Sequence, residues 1–166
     1  MSSSVQPIPK GRASLIPHIV CAGAAEAIEF YKKAFDAKEL SRMSSPDGRL
    51  MHAELEIGGS VVFLADDFPE YCNGKSESPL SLKGTPVTLH RYVSDCDVAI
   101  AQAEKAGATV LMHPENMFWG DRYGVIVDPF GHKWSLATHQ QDLTPEQVRA
   151  GMFEAFAQAP QAPAST

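Results

Sequence analysis

The chain has 166 residues, enough for one domain that hides roughly two thirds of its unfolded surface, or for two very small units fused together. Apolar residues make up 44% and charged residues 20%, a balance that excludes wholesale disorder. A formal net charge of −6 argues against nucleic acid and anionic membrane as partners, and no apolar run approaches the roughly 20 residues of a membrane span.

Residues 1–13 are rich in Ser, Pro and Gly and predict a mobile arm. No charged start leads into an apolar block, so no secretory signal is read there. The three cysteines, Cys21, Cys72 and Cys96, are far apart and form no Cys-x-x-Cys pair. That usage predicts reduced thiols in the cytoplasm.

Leu15–Cys21 reads as a strand. Ala24–Phe35 reads as a helix, with Ala24, Ala27, Ile28, Tyr31 and Phe35 on one face and Asp36 as a left-handed cap. A short strand, Leu40–Ser44, runs into the turn Ser45-Pro-Asp-Gly48. Leu50–Ile57 alternates, with Met51, Ala53, Leu55 and Ile57 against His52, Glu54 and Glu56. That is a strand with one apolar and one polar face. Gly58-Gly59 makes a tight hairpin into Ser60–Asp66. The acidic start of the next segment, Asp66, Asp67 and Glu70, reads as a solvated loop.

Pro86–Val93 predicts the next strand, with Arg91 on the face that should pack on helices, where it needs either exposure or a partner such as Asp95. Asp95 or Asp97 caps a helix that ends at Gly107. Strands follow at Thr109–His113, Tyr123–Asp128 and His132–Thr138. Thr144, Pro145 and Gln147 form a helix start with a capping box, followed by an apolar stripe of Val148, Met152, Ala155 and Phe156. That stripe has to be buried on the domain or on a second subunit. A Pro/Ala-rich tail closes the chain.

A repeat links the two halves. The shift that carries His18 onto His90 also carries Ala27-Ile28 onto Ala99-Ile100 and Lys33-Ala34 onto Lys105-Ala106. It carries Gly48 onto Gly120, Gly59 onto Gly131, and Leu64-Ala65 onto Leu136-Ala137. A duplicated βαβββ unit fits. The boundaries are an arm over 1–13, a first module over 14–67, a connecting loop over 68–85, a second module over 86–139, and a helix with a disordered tail over 140–166.

The βαβββ order, Phe30-Tyr31 on the first helix and Asp128-Pro-Phe-Gly-His132 before the last strand resemble the vicinal oxygen chelate superfamily of glyoxalase-, bleomycin-resistance- and dioxygenase-like proteins. The block Phe118-Trp-Gly-Asp-Arg-Tyr-Gly124, with Gly84-Thr-Pro-Val-Thr-Leu-His90, resembles its PhnB-like branch. The resemblance implies an α+β fold of curved mixed sheets, helices on the outer face, a ligand in the concave cup, and a homodimer. It also implies a metal tetrad in those members that use one. Those positions fall on Ile16, Phe63, Thr88 and Ser135, which supply no strong ligand, so no metal or other cofactor is expected.

The expected function is binding or sequestration of a small organic molecule, with no nucleic-acid or membrane partner. The expected lining is His18, His52, Glu54, Phe63, Thr88, His90, Tyr92, Trp119, Arg122 and Ser135. Trp119 and Arg122 read either as a platform and cation for an anionic or aromatic ligand, or as a structural anchor and an Arg–Asp pair. The alternative is a glyoxalase- or dioxygenase-like enzyme using a non-standard site of His18, His90 and Glu54, with or without a divalent metal. No phosphate-binding loop or nucleophile elbow is present.

Overall fold

The structure, a computed structural model, describes residues 5–158. The Ser-rich start (1–4) and the Pro/Ala-rich end (159–166) lie outside the described residues. The fold is α+β and contains two four-stranded mixed sheets. In the first, β1 (His18–Cys21), β2 (Lys38–Ser44), β3 (Leu50–Ile57) and β4 (Ser60–Asp66) are ordered β1-β4-β3-β2. In the second, β5 (Thr88–Tyr92), β6 (Thr109–Asn116), β7 (Asp121–Val127) and β8 (Lys133–His139) are ordered β5-β8-β7-β6. The same order with the same mixed pairing is what a duplicated unit produces. Helix α1 (Ala24–Phe35) follows β1 and α3 (Cys96–Ala106) follows β5, while the linker carries the short α2 (Pro79–Leu82).

Helices α1 and α3 pack on each other and on the apolar faces of both sheets, so the two modules share one core. Alternation decides which side of each strand is buried: Ala53, Leu55 and Ile57 in β3, and Trp134 and Leu136 in β8. Ser135 and Asp121 are buried too, on the side away from the helices. Asp36 takes the left-handed cap of α1 at φ 54°, and Asp95 caps α3 by accepting from Val98 N at 3.0 Å.

Several expectations change in register. Leu50, not Met51, is buried at the start of β3, because the pairing steps from Met43↔His52 to Ser44↔Leu50 and leaves Met51 as the unpaired residue of a bulge. β6 runs on through Pro114 to Asn116; it is an edge strand, and a register shift between Met112 and Glu115 absorbs the missing donor. Arg91 does not pair with Asp95 and is only partly exposed. It donates to Phe35 O at the end of α1 at 3.3 Å, with its guanidinium 5.7 Å from the Phe35 ring. Gly58 leaves it room, since a Cβ there would stand 2.9 Å from Arg91 Nε. The acidic start of the linker is structured as well. Asp66 accepts from Gly23 N, Ala24 N and Leu50 N, and Asp67 from Glu77 N and Ser78 N.

His132 locks the second module to the first. Its Nε2 lies 3.1 Å from Val20 O and 3.7 Å from Cys21 Sγ. Burial pulls its pKa below the ordinary 6.5. The unfolded chain therefore takes up this proton first, and the contribution of His132 to stability is lost as pH falls below about 6.5. In urea melts, the parent and His132→Asn are expected to differ by a constant amount above pH 6.5, and the gap is expected to narrow as the pH drops below it, because only the parent loses this contribution there. Parallel curves at every pH would sink this account.

Candidate functional site

The strand pairing puts the candidate residues on two clusters, one per sheet. On the first sheet, His18 lies opposite Phe63 and Phe63 opposite Glu54, so all three share the helix-free face. His52 joins them. Ring centroids are 5.9 Å apart for His18–His52, 6.1 Å for His18–Phe63 and 4.7 Å for His52–Phe63, all edge to face. His52 Nε2 stands 3.7 Å from Glu54 Oε1. The His18 pKa lies below its usual value, through burial first and the nearby His52 second.

On the second sheet, His90 pairs with Ser135, and His90 Nδ1 lies 2.8 Å from Ser135 Oγ. Tyr92 stands edge-on to His90 at 4.8 Å, and Tyr123 stacks beyond it at 6.2 Å. His18 and Glu54 therefore belong to one cluster and His90 to the other. Among the described residues, no hydrogen bond, ring contact or ion pair joins His90 to either.

The residues opposite Phe63 and Ser135 are His18 and His90, two positions beyond Ile16 and Thr88. Thr88 lies opposite Lys133, and Ile16 precedes β1. With either pairing, Phe63 offers no donor atom, and the Ser135 hydroxyl is engaged by His90. This donor set does not fit a metal tetrad. Among the described residues, no group of three or more His, Cys, Asp or Glu side chains is placed to hold a metal ion.

Trp119 and Arg122 do not converge on one ligand position. Strand β7 begins at Asp121, so alternation sends Asp121 and Tyr123 to the helix-free face and Arg122 to the other. There Arg122 makes a two-pronged pair with Asp97 of α3, both contacts at 2.6 Å, and a further bond to Asn116 Oδ1. The pair holds Asp97 below the usual carboxylate range.

The residue that the sequence reading passed over is Asp121. It is 5% exposed and accepts from Trp119 Nε1 at 3.1 Å, Tyr92 OH at 3.3 Å and His139 Nδ1 at 2.8 Å. The alternation Asp121, Tyr123, Val125 against Gly124 and Ile126 was the available signal. Gly120 places this carboxylate: it sits at φ 96°, and a Cβ there would come within 2.5 Å of Gln141 O.

Between the modules lies a cleft of about 620 Å³. Its walls are residues of the segment leading into β1, the β3–β4 hairpin and the edge strand β5, with Trp134 beneath. Apolar surface from Leu15, Ile16, Val61 and Leu89 dominates, and Ser60, Thr88, His90, Arg91 and Tyr92 supply the polar groups. A second hollow of about 460 Å³ lies between β1 and the linker and takes in His18 and His132. No helix of the described residues is long and apolar enough to cross a membrane.

A family model described as the Glyoxalase/Bleomycin resistance protein/Dioxygenase superfamily matches residues 15–136. The Mycobacterium bovis protein called Uncharacterized protein Mb0911c is 52% identical over 139 residues, which cover 84% of this chain and 91% of that protein. The Arabidopsis thaliana protein At5g48480 is 30% identical over 130 residues, 73% of this chain and 75% of that one. The X-ray structure of that gene product aligns with a TM-score of 0.60 at 27% identity, covering 75% of this chain and 98% of the other. TioX from Micromonospora sp. ML1 shares the fold, with a TM-score of 0.61 at 21% identity over 76% of this chain and 98% of the other.

Proposed function

The chain belongs to the glyoxalase/bleomycin resistance protein/dioxygenase superfamily, and from that premise we propose that it binds a small organic molecule in the cleft between its modules. One observation carries this reading. The cleft has the volume and character of a ligand site, with largely apolar walls and a few polar groups, among them Thr88, His90, Arg91 and Tyr92. The ligand class that suits it is a flat, largely apolar molecule with one or two hydrogen-bonding atoms. His90 is held by Ser135, and Tyr92 by Asp121, so both polar groups are oriented before a ligand arrives. Binding uses no metal tetrad in this reading, because Phe63 and Ser135 replace strong ligands.

The finer placement is with the PhnB-like branch, on the strength of the Phe118–Gly124 block. The protein works as a homodimer in this reading, since Leu40 and Met43 on β2 and Phe153 and Phe156 on the tail helix α4 (Pro145–Gln158) are all about half exposed or more. Cytoplasmic location is proposed from the three free thiols, two of them buried.

The test is a thermal-shift panel of small aromatic molecules on the parent and on Thr88→Trp. Thr88 is exposed on β5, so the larger side chain fills the cleft without disturbing the core. The expected result is a set of stabilising compounds whose shifts vanish in Thr88→Trp, with Tyr92→Ala weakening the same compounds about tenfold, the weight of one good aromatic contact. Equal shifts in the parent and Thr88→Trp would place the ligand elsewhere and defeat the reading.

A further inference from the structure

The carboxylate Glu54 and its three rings form a cup that the cleft does not use. None of Arg12, His18, His52, Glu54 or Phe63 lines the cleft. Glu54 is 17% exposed at its side chain and has one cationic partner, Arg12, which lies 42 residues away in the segment that leads into β1. This is the stretch that composition alone marks as a mobile arm. The chain turns back at Pro9, where Arg12 N donates to Pro9 O at 3.1 Å, and the guanidinium then meets Glu54 on the helix-free face of β3.

The chemistry of the cup selects a cation. A part-buried carboxylate needs a positive partner, and here the remaining contact is His52 Nε2 at 3.7 Å. Beside Glu54 on the same face lie Phe63 and the imidazoles of His18 and His52, which stand edge to face with one another. Of these rings, the face of Phe63 is the one that attracts an organic cation. His18, with its pKa pulled down by burial, is neutral at pH 7 and does not repel a positive group.

We propose that this cup is a binding site for an organic cation, a guanidinium or a primary amine, and that Arg12 is a built-in copy of that group which keeps the cup closed. The strap is suited to withdraw. It joins no sheet or helix, and Gly11 at φ 79° has open space around it, so little besides the Arg12–Glu54 pair fastens it. A free cation must displace Arg12, so its apparent affinity is reduced by the fraction of molecules that are closed.

The probe is agmatine, which carries both groups and no carboxylate, titrated by calorimetry into the full chain. Arg12→Ala is expected to bind it about fivefold tighter than the parent, the weight of one part-exposed ion pair. Glu54→Gln is expected to weaken binding, and adding Arg12→Ala to Glu54→Gln should restore nothing. Circular dichroism on each variant confirms the fold; Arg12 lies outside the core, and Gln matches Glu in shape. Equal affinity in the parent and Arg12→Ala, no binding to either, or a gain that survives Glu54→Gln would each overturn the proposal. Glu54 does not line the cleft, although Gly11 and Ala13 beside Arg12 do, so agmatine binding that persists in Thr88→Trp marks the Glu54 site and binding lost there marks the cleft, which separates failure of this proposal from failure of the cleft reading.

Discussion

Asp128→Ala is expected to destabilise the protein by about 3–5 kcal/mol, the range for breaking a buried polar network. Asp128 is 3% exposed and takes four donors. Its Oδ1 accepts from Phe130 N and His132 N, both at 2.9 Å, which forms the turn before β8. Its Oδ2 accepts from Tyr31 OH at 2.7 Å and Trp134 Nε1 at 3.0 Å. Tyr31 comes from α1, so one carboxylate ties the first module to the second through the core. Burial and the neighbouring Asp128 charge push the Tyr31 hydroxyl pKa well above 10, so it stays a donor across the working pH range. Alanine would orphan all four donors, and each buried orphan costs about 1–3 kcal/mol before relaxation. An asparagine in its place would keep one carbonyl oxygen but turn its NH₂ toward two donors, so Asp128→Asn should fall between parent and alanine. Urea unfolding measures this, and the double variant with Tyr31→Phe should lose less than the sum of the two single losses. A loss under about 1 kcal/mol for Asp128→Ala would refute the network account.

This network shows what the sequence motifs signify. Phe30-Tyr31 and Asp128-Pro-Phe-Gly-His132 carry the family resemblance, and the structure joins them: Tyr31 bonds Asp128, and the Phe30 and Phe130 rings stand 6.3 Å apart. Their work is to dock one module on the other. Elements set by local chemistry were readable in one dimension. The Thr144–Gln147 capping box forms in both directions, with Gln147 Oε1 taking Thr144 N at 2.8 Å. The Gly58-Gly59 hairpin and the alternation of β3 from Ala53 onward also follow from neighbouring residues. The placement of Arg122 was not readable, because the expected strand began at Tyr123 and left Asp121 and Arg122 in the preceding turn, where no alternation assigns a face. Met51 is the extra residue of a bulge in the β2–β3 pairing, and strict alternation along β3 does not mark it. The partners of Arg91 and Arg12 come from distant parts of the chain, at Phe35 and Glu54, and no local pattern encodes them. Of the α4 stripe, Val148 and Met152 are partly covered within the chain, while Phe156 is 71% exposed.

The second large effect belongs to Asp121, which ties the fold to the cleft. Asp121→Ala is expected to cost about 1–3 kcal/mol, because the Trp119 Nε1 donor loses its buried acceptor, while the half-exposed His139 can turn to water. Asp121→Asn separates charge from shape. Bonds to Asp142 and then Asp121 raise the His139 pKa above 6.5. The folded state therefore holds this proton more tightly than the unfolded chain. The resulting stability is fully present below about pH 6.5 and is lost as pH rises through the folded pKa. His132 works in the opposite direction and below that point, so the two histidines occupy separate pH windows. Removing the Asp121 charge should flatten the decline in stability as pH rises above 6.5 while leaving the acid side unchanged. The same substitution frees the Tyr92 hydroxyl, which Asp121 holds at 3.3 Å in the cleft wall. Compounds that depend on Tyr92 should then bind more weakly in Asp121→Asn even where the protein is fully folded. Stability profiles across pH and compound titrations on the same preparation test both halves. An unchanged slope above pH 6.5 would assign the proton of His139 to Asp142 alone. Unchanged compound affinity would mean that Tyr92 is held in place by its ring contact with His90 and not by the carboxylate.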